Sequence, residues 1–278
     1  MKIRKVMPVR PNPEQLSHLE PFERFAFGIS DAMNRNPLLK RAGHTFLRTF
    51  GATWVHVCTR NLLTVEGLEP LASLRPPGGV VLACNHRSFF DLYVISSVLL
   101  RKTDWIRGMY FPVRSNYWYE RPDGIIVNGI MSAWAMYPPV LRDPRRKSFN
   151  EYTVDFLADV MTQPGAVLGI HPEGTRNKTD DPYTLVAAHP GIGQIVRRSN
   201  PLVIPAFILG LSNDIARQVR GNFDGTGERI QIVFGAPMDF TAMQSAPAKL
   251  RTYKTIADRV KDEIQRLGTI ERAMRERR

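Results

Sequence analysis

From residue 62 onward the sequence alternates between short apolar runs and longer amphipathic stretches, and this alternation limits the possible folds more than any other feature. The runs at 63–65, 80–83, 105–110, 136–141, 166–170, 202–208 and 229–234 are rich in Val, Ile, Leu and aromatic residues. Short, nearly continuous apolar runs read as strands covered on both faces. Helical periodicity lies between several of them, at 91–100 and 149–161. The alternation predicts an α/β domain with a central, largely parallel mixed sheet flanked by helices. Near the end, Leu250, Tyr253, Ile256, Val260, Ile264 and Leu267 form a helical stripe that Gly268 is expected to stop. The charged tail 271–278 is expected to fray.

The first 61 residues have a different texture, so the chain divides into an extension (1–61) and the α/β domain (62–278). Phe22, Phe25, Ile29 and Met33 recur at helical spacing before Asn34-Arg35-Asn36-Pro37 breaks the chain. Leu39, Ala42, Phe46, Phe50, Trp54 and Val57 then form a second stripe, with Arg41, Arg48 and Arg60 at other angles. The pattern predicts an amphipathic helical hairpin. Its stripe either packs on the domain or anchors at a membrane interface, where Phe and Trp enter the headgroup boundary and Lys and Arg meet anionic lipid. The basic start Met1-Lys2-Ile3-Arg4-Lys5 is followed by Pro8, Pro11 and Pro13 rather than by the apolar core of a signal peptide. Residues 124–141 carry no charge, but Asn128, Gly129, Ser132, Pro138 and Pro139 interrupt them. A buried or interfacial segment is expected there, not a transmembrane helix.

With 43% apolar and 23% charged residues, the chain has a globular composition that excludes wholesale disorder. Its 38 Lys and Arg against 26 Asp and Glu leave a net charge of +12, which calls for anionic partners. Nucleic acid, a membrane surface and phosphorylated small molecules all qualify. No zinc-finger spacing, recognition helix or ribonucleoprotein motif supports nucleic acid, and none is expected as a partner. Cys58 and Cys84 sit in apolar surroundings without C-x-x-C spacing, which argues against a disulfide framework or a zinc site.

Two blocks carry candidate chemistry. Asn85-His86-Arg87-Ser88-Phe89-Phe90-Asp91 follows the apolar run at 80–83 and precedes a helix. Ligands of open α/β sheets bind beyond the carboxyl ends of strands, where His86 would sit. Five residues apart on one helix, His86 and Asp91 would point different ways. They pair only if His86 precedes the helix and folds back, letting Asp91 fix the imidazole tautomer so that the free nitrogen serves as a general base. Ser88 stands where it could cap that helix. The second block, His171-Pro172-Glu173-Gly174-Thr175-Arg176-Asn177, follows the run at 166–170. Gly174 permits close approach, Thr175 offers a hydroxyl, and Arg176 offers a fork suited to phosphate oxygens. Glu173 could orient that Arg or a substrate hydroxyl. Read singly, the first block could be a structural histidine and the second a surface turn with an internal ion pair.

Together and in this order, the blocks resemble the glycerolipid acyltransferase family, of the 1-acylglycerol-3-phosphate or lysophospholipid acyltransferase type. Asn85, His86, Ser88 and Asp91 match its N-H-x-S-x-x-D block, and Pro172 to Arg176 match P-E-G-T-R. Val203-Ile204-Pro205-Ala206 matches its apolar strand ending in proline. Met136-Tyr137-Pro138-Pro139-Val140-Leu141-Arg142 stands in the place of its second block, with paired prolines unusual for a strand. The resemblance spans residues 62–240 and implies acyl transfer from acyl-CoA or acyl carrier protein, as co-substrate, to a lysophospholipid hydroxyl, with no cofactor and no metal. It makes His86 the base and Asp91 its orienting partner. Arg142, Glu173, Gly174, Thr175 and Arg176 become the substrate-binding set, while Ile204 and Pro205 are acyl-pocket or structural residues. The implied acceptor is 1-acylglycerol 3-phosphate, giving phosphatidic acid. Glycerol 3-phosphate or another lyso- or glycolipid is the alternative acceptor, and a non-catalytic membrane-binding protein is the rival class. The implied location is the cytoplasmic face of an anionic membrane, peripheral or monotopic. One departure stands out: the family's Phe-Lys-x-Gly stretch has no lysine here, where Ala188-His189-Pro190-Gly191 occurs, so Arg176, Arg142 or a nearby Arg must replace it. His171 also stands where the family favours an aromatic residue, and a structural role is expected for it.

Overall fold

Among the described residues there are eight strands: β1 (Leu63–Glu66), β2 (Val80–Cys84), β3 (Gly108–Tyr110), β4 (Val113–Arg114), β5 (Pro139–Val140), β6 (Ala166–Ile170), β7 (Leu202–Leu209) and β8 (Ile230–Phe234). The structure, a computed structural model, describes residues 8–277, so the basic start of the chain and Arg278 lie outside the described residues. Six strands form one sheet in the order β1-β8-β7-β2-β6-β3. The four from β7 to β3 run parallel, and β8 with its parallel partner β1 runs the opposite way. Every residue of β2 and of β8 is buried, as expected of strands covered on both faces. The sheet is therefore the α/β, largely parallel mixed sheet that the alternating pattern predicts.

Four expectations fail for identifiable reasons. Residues 136–141 do not enter the main sheet. Pro138 and Pro139 lack the N–H groups a central strand must donate, and only Pro139–Val140 pairs, with β4 in a separate two-stranded sheet. The run at 105–110 yields only Gly108–Tyr110, because Trp105 leaves the ladder and donates its Nε1–H to the Leu71 carbonyl at 2.9 Å. Gly268 does not end the last helix, which runs from Leu250 to Glu276. A Cβ at Gly268 would lie 2.8 Å from the Phe207 ring, so this glycine serves close packing of helix on sheet. The tail is held rather than frayed. Glu271 is fully buried, accepts the Tyr183 hydroxyl at 2.8 Å and pairs with Arg275.

The extension forms helices Pro21–Arg35 and Pro37–Phe46, separated at Asn36, whose side chain caps the second. That helix continues through a π-turn at Leu47–Gly51 into Ala52–Val57. Phe27 holds the first helix to the domain, meeting the rings of Tyr137, Phe149 and Tyr152. The aromatic stripe faces the other way: Phe25, Phe50 and Trp54 are each about 60% exposed. The core-packing reading of the stripe is thus wrong.

Helix Gly191–Ser199 crosses the C-terminal helix at Gly193, where a Cβ would lie 2.0 Å from the Tyr253 carbonyl oxygen. Gly193→Ala is expected to destabilise the fold by about 1–3 kcal/mol, as overpacking against immovable backbone does. An unchanged denaturation midpoint would show that the two helices can separate.

Candidate active site

The sheet register brings the two sequence blocks together. β2 and β6 pair in parallel with Ala83 opposite Ile170, so both strands leave the sheet at one edge. The next residues, Cys84 to His86 and His171 onward, therefore emerge side by side. Asn85 locks the first exit against β7. Its Nδ2 donates to the Ile208 carbonyl and its Oδ1 accepts from the Ile208 amide, both at 2.8 Å. The Asn177 amide donates to the His86 carbonyl at 2.7 Å and ties the second turn to the first.

His86 lies in the turn, and Asp91 is the first residue of helix Asp91–Lys102. The imidazole Nδ1 stands 3.3 Å from Asp91 Oδ2, which also accepts the amides of Arg87 and Ser88 at 2.8 Å each. An oxygen receiving two N–H groups acts as an acceptor, so Nδ1 carries the proton and Nε2 is left bare. Burial pushes the Asp91 carboxyl up to about 7, against the pull of His171 and the two amides. Burial, then the charges of Arg176 and Arg114, lowers His86 to about 4, so its imidazole is uncharged near neutrality. Ser88 does not cap the helix. Phe90 occupies the cap position, and the Ser88 hydroxyl accepts the Phe90 amide at 3.2 Å.

His171 lies flat on His86, with ring centroids 3.7 Å apart and planes within 6°. Its Nδ1 is 2.9 Å from the Asn85 carbonyl oxygen, which can only accept, so that nitrogen is protonated. His86, Asp91 and His171 could each offer an atom to a metal. Stacked, parallel imidazoles direct their in-plane lone pairs along parallel planes, which suits a shared ion poorly.

The second turn is less paired than its sequence suggests. Glu173 is buried, neither carboxylate oxygen has a hydrogen-bond partner, and burial raises it to about 7. It forms no ion pair with Arg176, which donates instead to Asn213 Oδ1 at 3.3 Å. Gly174 has a φ of +62° and its carbonyl accepts from Arg114 at 3.1 Å. Thr175 and Arg142 are exposed. Arg114 feels the charges of both Arg142 and Arg176, so three guanidinium groups share this edge. Ile204 and Pro205 lie buried within β7, where the Pro205 carbonyl accepts the Gly235 amide at 2.9 Å.

Sequence reasoning missed Arg114 and Asn213. Asn213 follows β7, and its Oδ1 accepts the Phe89 amide at 2.9 Å as well as Arg176. The position beyond a third strand end was its only signal. An apolar cavity begins beside Tyr93, in the first turn of the Asp91 helix. Leu47, Val55, Leu100, Phe111 and Met131 line it, and the buried hydroxyls of Tyr93 and Ser96 lack partners there.

The site is thus a His–Asp pair at the carboxyl edge of a largely parallel sheet in an α/β fold, set beside clustered arginines and an apolar cavity. The family model described as Acyltransferase matches residues 62–209. The chain belongs to that acyltransferase family. Comparison with curated proteins gives no match. Among solved structures the chain is similar to the 1-acyl-sn-glycerophosphate (LPA) acyltransferase PlsC from Thermotoga maritima. The TM-score is 0.51 and the identity 15%, over 90% of this chain and 88% of that one. At that identity the likeness is one of fold.

Asn85 is 1% exposed and pairs with both backbone groups of Ile208. Asn85→Ala is expected to cost roughly 2–4 kcal/mol, because two buried backbone groups lose their partners. Chemical denaturation would measure this, and a loss well below 1 kcal/mol would show that water replaces the amide.

Proposed function

We propose that the chain is an O-acyltransferase that moves a fatty acyl group from acyl-CoA or acyl carrier protein to the free hydroxyl of a lysophospholipid. The acceptor is 1-acylglycerol 3-phosphate and the product phosphatidic acid. The observation that carries this reading is the uncharged His86, its tautomer set by Asp91, beside three arginines in an acyltransferase-family fold. The solved structure it resembles belongs to an enzyme named for the same acceptor.

His86 Nε2 takes the hydroxyl proton as the oxygen attacks the thioester carbonyl. The tetrahedral adduct collapses, the C–S bond breaks, and the imidazolium returns its proton to the leaving thiolate. Asp91 stabilises the imidazolium between these steps. No acyl-enzyme is needed, because the thioester is already activated. Arg114, Arg142 and Arg176 bind the acceptor phosphate and replace the lysine absent near His189. The acyl chain lies against the apolar side chains beside Tyr93, whose cavity of about 40 Å³ widens to admit it. The exposed aromatic stripe docks the enzyme on an anionic membrane surface, where both lipid substrate and product reside.

His86→Ala is expected to lower kcat/KM by about 100- to 10,000-fold with an unchanged circular dichroism spectrum. Thiol release from acyl-CoA and product mass, measured over a panel of acceptors, would report it. Substantial transfer by the folded variant would overturn the assignment. Arg176→Ala is expected to raise KM for phosphate-bearing acceptors while leaving KM for the donor nearly unchanged. Equal effects on both would move Arg176 out of the acceptor site.

A further inference from the structure

Helix Pro122–Ser132 turns part of its apolar surface outward. Its buried positions are Gly124, Asn128 and Ser132, and Ile125 and Val127 pack half-buried on the core, while Ile126 and Ile130 are 60% and 65% exposed and Met131 is also exposed. The polar inner face is satisfied within the protein. Asn128 Oδ1 accepts from the Ser132 hydroxyl and the Met136 amide, and its Nδ2 donates to the Met136 carbonyl. The helix is also fixed close to its support. A Cβ at Gly124 would lie 2.5 Å from the Tyr117 carbonyl oxygen, and one at Gly129 would lie 3.1 Å from the Trp134 ring. A helix in water turns its apolar residues inward, so the reverse arrangement points to an outer surface that meets hydrocarbon.

The neighbouring helix also carries an apolar residue outward. Pro21–Arg35 buries Ala26 and Phe27 together with Glu23, Ser30 and Asn34, and exposes Phe25. The two regions touch: Asn34 Nδ2 donates to the Trp134 carbonyl at 2.8 Å, and Gly43 sits where a Cβ would lie 3.1 Å from the Ala133 carbonyl oxygen. The helical run that carries Phe46, Phe50 and Trp54 therefore passes against the residues that follow helix Pro122–Ser132. Between the two runs lies the apolar cavity, lined by Leu47, Gly51 and Val55 on one side and by Met131 and Ser132 on the other. No helix among the described residues is long and apolar enough to cross a membrane, so such a surface can only lie within one leaflet.

We infer that helix Pro122–Ser132 is a second membrane-contacting element, which places Ile126, Ile130 and Met131 among the acyl chains of a lipid bilayer. The inference rests on the membrane-docking reading above and adds a consequence to it. With hydrocarbon on both sides of the cleft, an acyl chain reaches the Asp91 helix from the leaflet without crossing water.

The test uses the full chain with one environment-sensitive fluorophore on an introduced cysteine, either Ile130→Cys or Phe50→Cys, under native conditions in which Cys58 and Cys84 are buried. The probe surface is phosphatidylcholine–phosphatidylglycerol vesicles, with and without nitroxide groups on the acyl chains. Both labels are expected to shift to the blue and to be quenched by the nitroxides. Quenching at position 50 with a water-like spectrum at position 130 would overturn this inference and leave membrane docking standing. Absence of quenching at both would overturn the docking reading with it. As a label-free check, Ile126→Asp with Ile130→Asp is expected to weaken vesicle partitioning by at least about tenfold, the scale of two side chains withdrawn from hydrocarbon. Unchanged partitioning of the folded double variant would also overturn the inference.

Discussion

The parallel pairing of β2 with β6 is the constraint on which the site depends. It sets Ala83 against Ile170 and so delivers His86 and His171 to the same edge in adjacent lanes. A register slip of one residue would turn the side chains of a strand to its other face and separate the two turns. The stack of the two imidazoles and the bond from Asn177 to the His86 carbonyl are consequences of that pairing. Asn85 then secures the end of β2 to β7 on the other side, so the strand that leads to His86 is fixed to both neighbours at its exit. The antiparallel β8 and its partner β1 complete the sheet away from this edge and contribute nothing to it.

Electrostatics at the edge works in two directions. Arg114 and Arg176 make it hospitable to an anion, and the same charges oppose protonation of His86. An imidazole that is already uncharged can accept a proton, so in the proposed mechanism the groups that attract a phosphate also keep the base available. Asp91 offsets the resulting difficulty. Once His86 takes a proton in a partly buried setting beside two guanidinium groups, the carboxylate at 3.3 Å supplies the compensating charge. The uncharged His171 in the stack adds no further repulsion, since burial holds it well below its ordinary range, at about 3.

What the sequence revealed and what it concealed separate on physical grounds. β2 and β6 were legible because a buried parallel strand must be apolar throughout, and His86, Asp91 and Glu173 to Arg176 were legible because they follow such strands directly. Residues 136–141 looked like a strand by apolarity alone, but backbone donors, which Pro138 and Pro139 lack, decide membership in a sheet. Gly268 looked like a helix stop because composition cannot tell a glycine that ends a helix from one that admits a neighbouring ring. Arg114 and Asn213 were hidden for another reason. Each reaches the site from an element distant in sequence, through contacts that only the assembled sheet creates. The stripe of Phe25, Phe50 and Trp54 was visible as a stripe, whereas its outward direction depended on Phe27 being the residue that enters the aromatic cluster.

The excess positive charge is partly internal. Arg48 crosses to the end of the Asp91 helix and donates to the carbonyls of Leu100, Thr103 and Ile106, and so satisfies groups that a helix terminus leaves free. Arg35 reaches the carbonyls of Pro8 and Val9 and the hydroxyl of Tyr152, while Arg146 pairs with the buried Glu23 and bonds the His18 carbonyl. Lys40 is buried at the junction of the extension with β3, donating to Asn34 and to the Met109 carbonyl over the face of Tyr110. Burial lowers it to about 7. Many of these bonds run to uncharged oxygens that cancel no charge, although Arg146 and Arg35 also pair with Glu23 and Asp31. Part of the +12 is therefore structural, and a count of basic residues overstates the charge presented to a partner. The attraction that remains is concentrated where guanidinium groups lack acidic partners, as at Arg114, Arg142 and Arg176. An anion bound there would meet three charges on one edge of the sheet, beside His86.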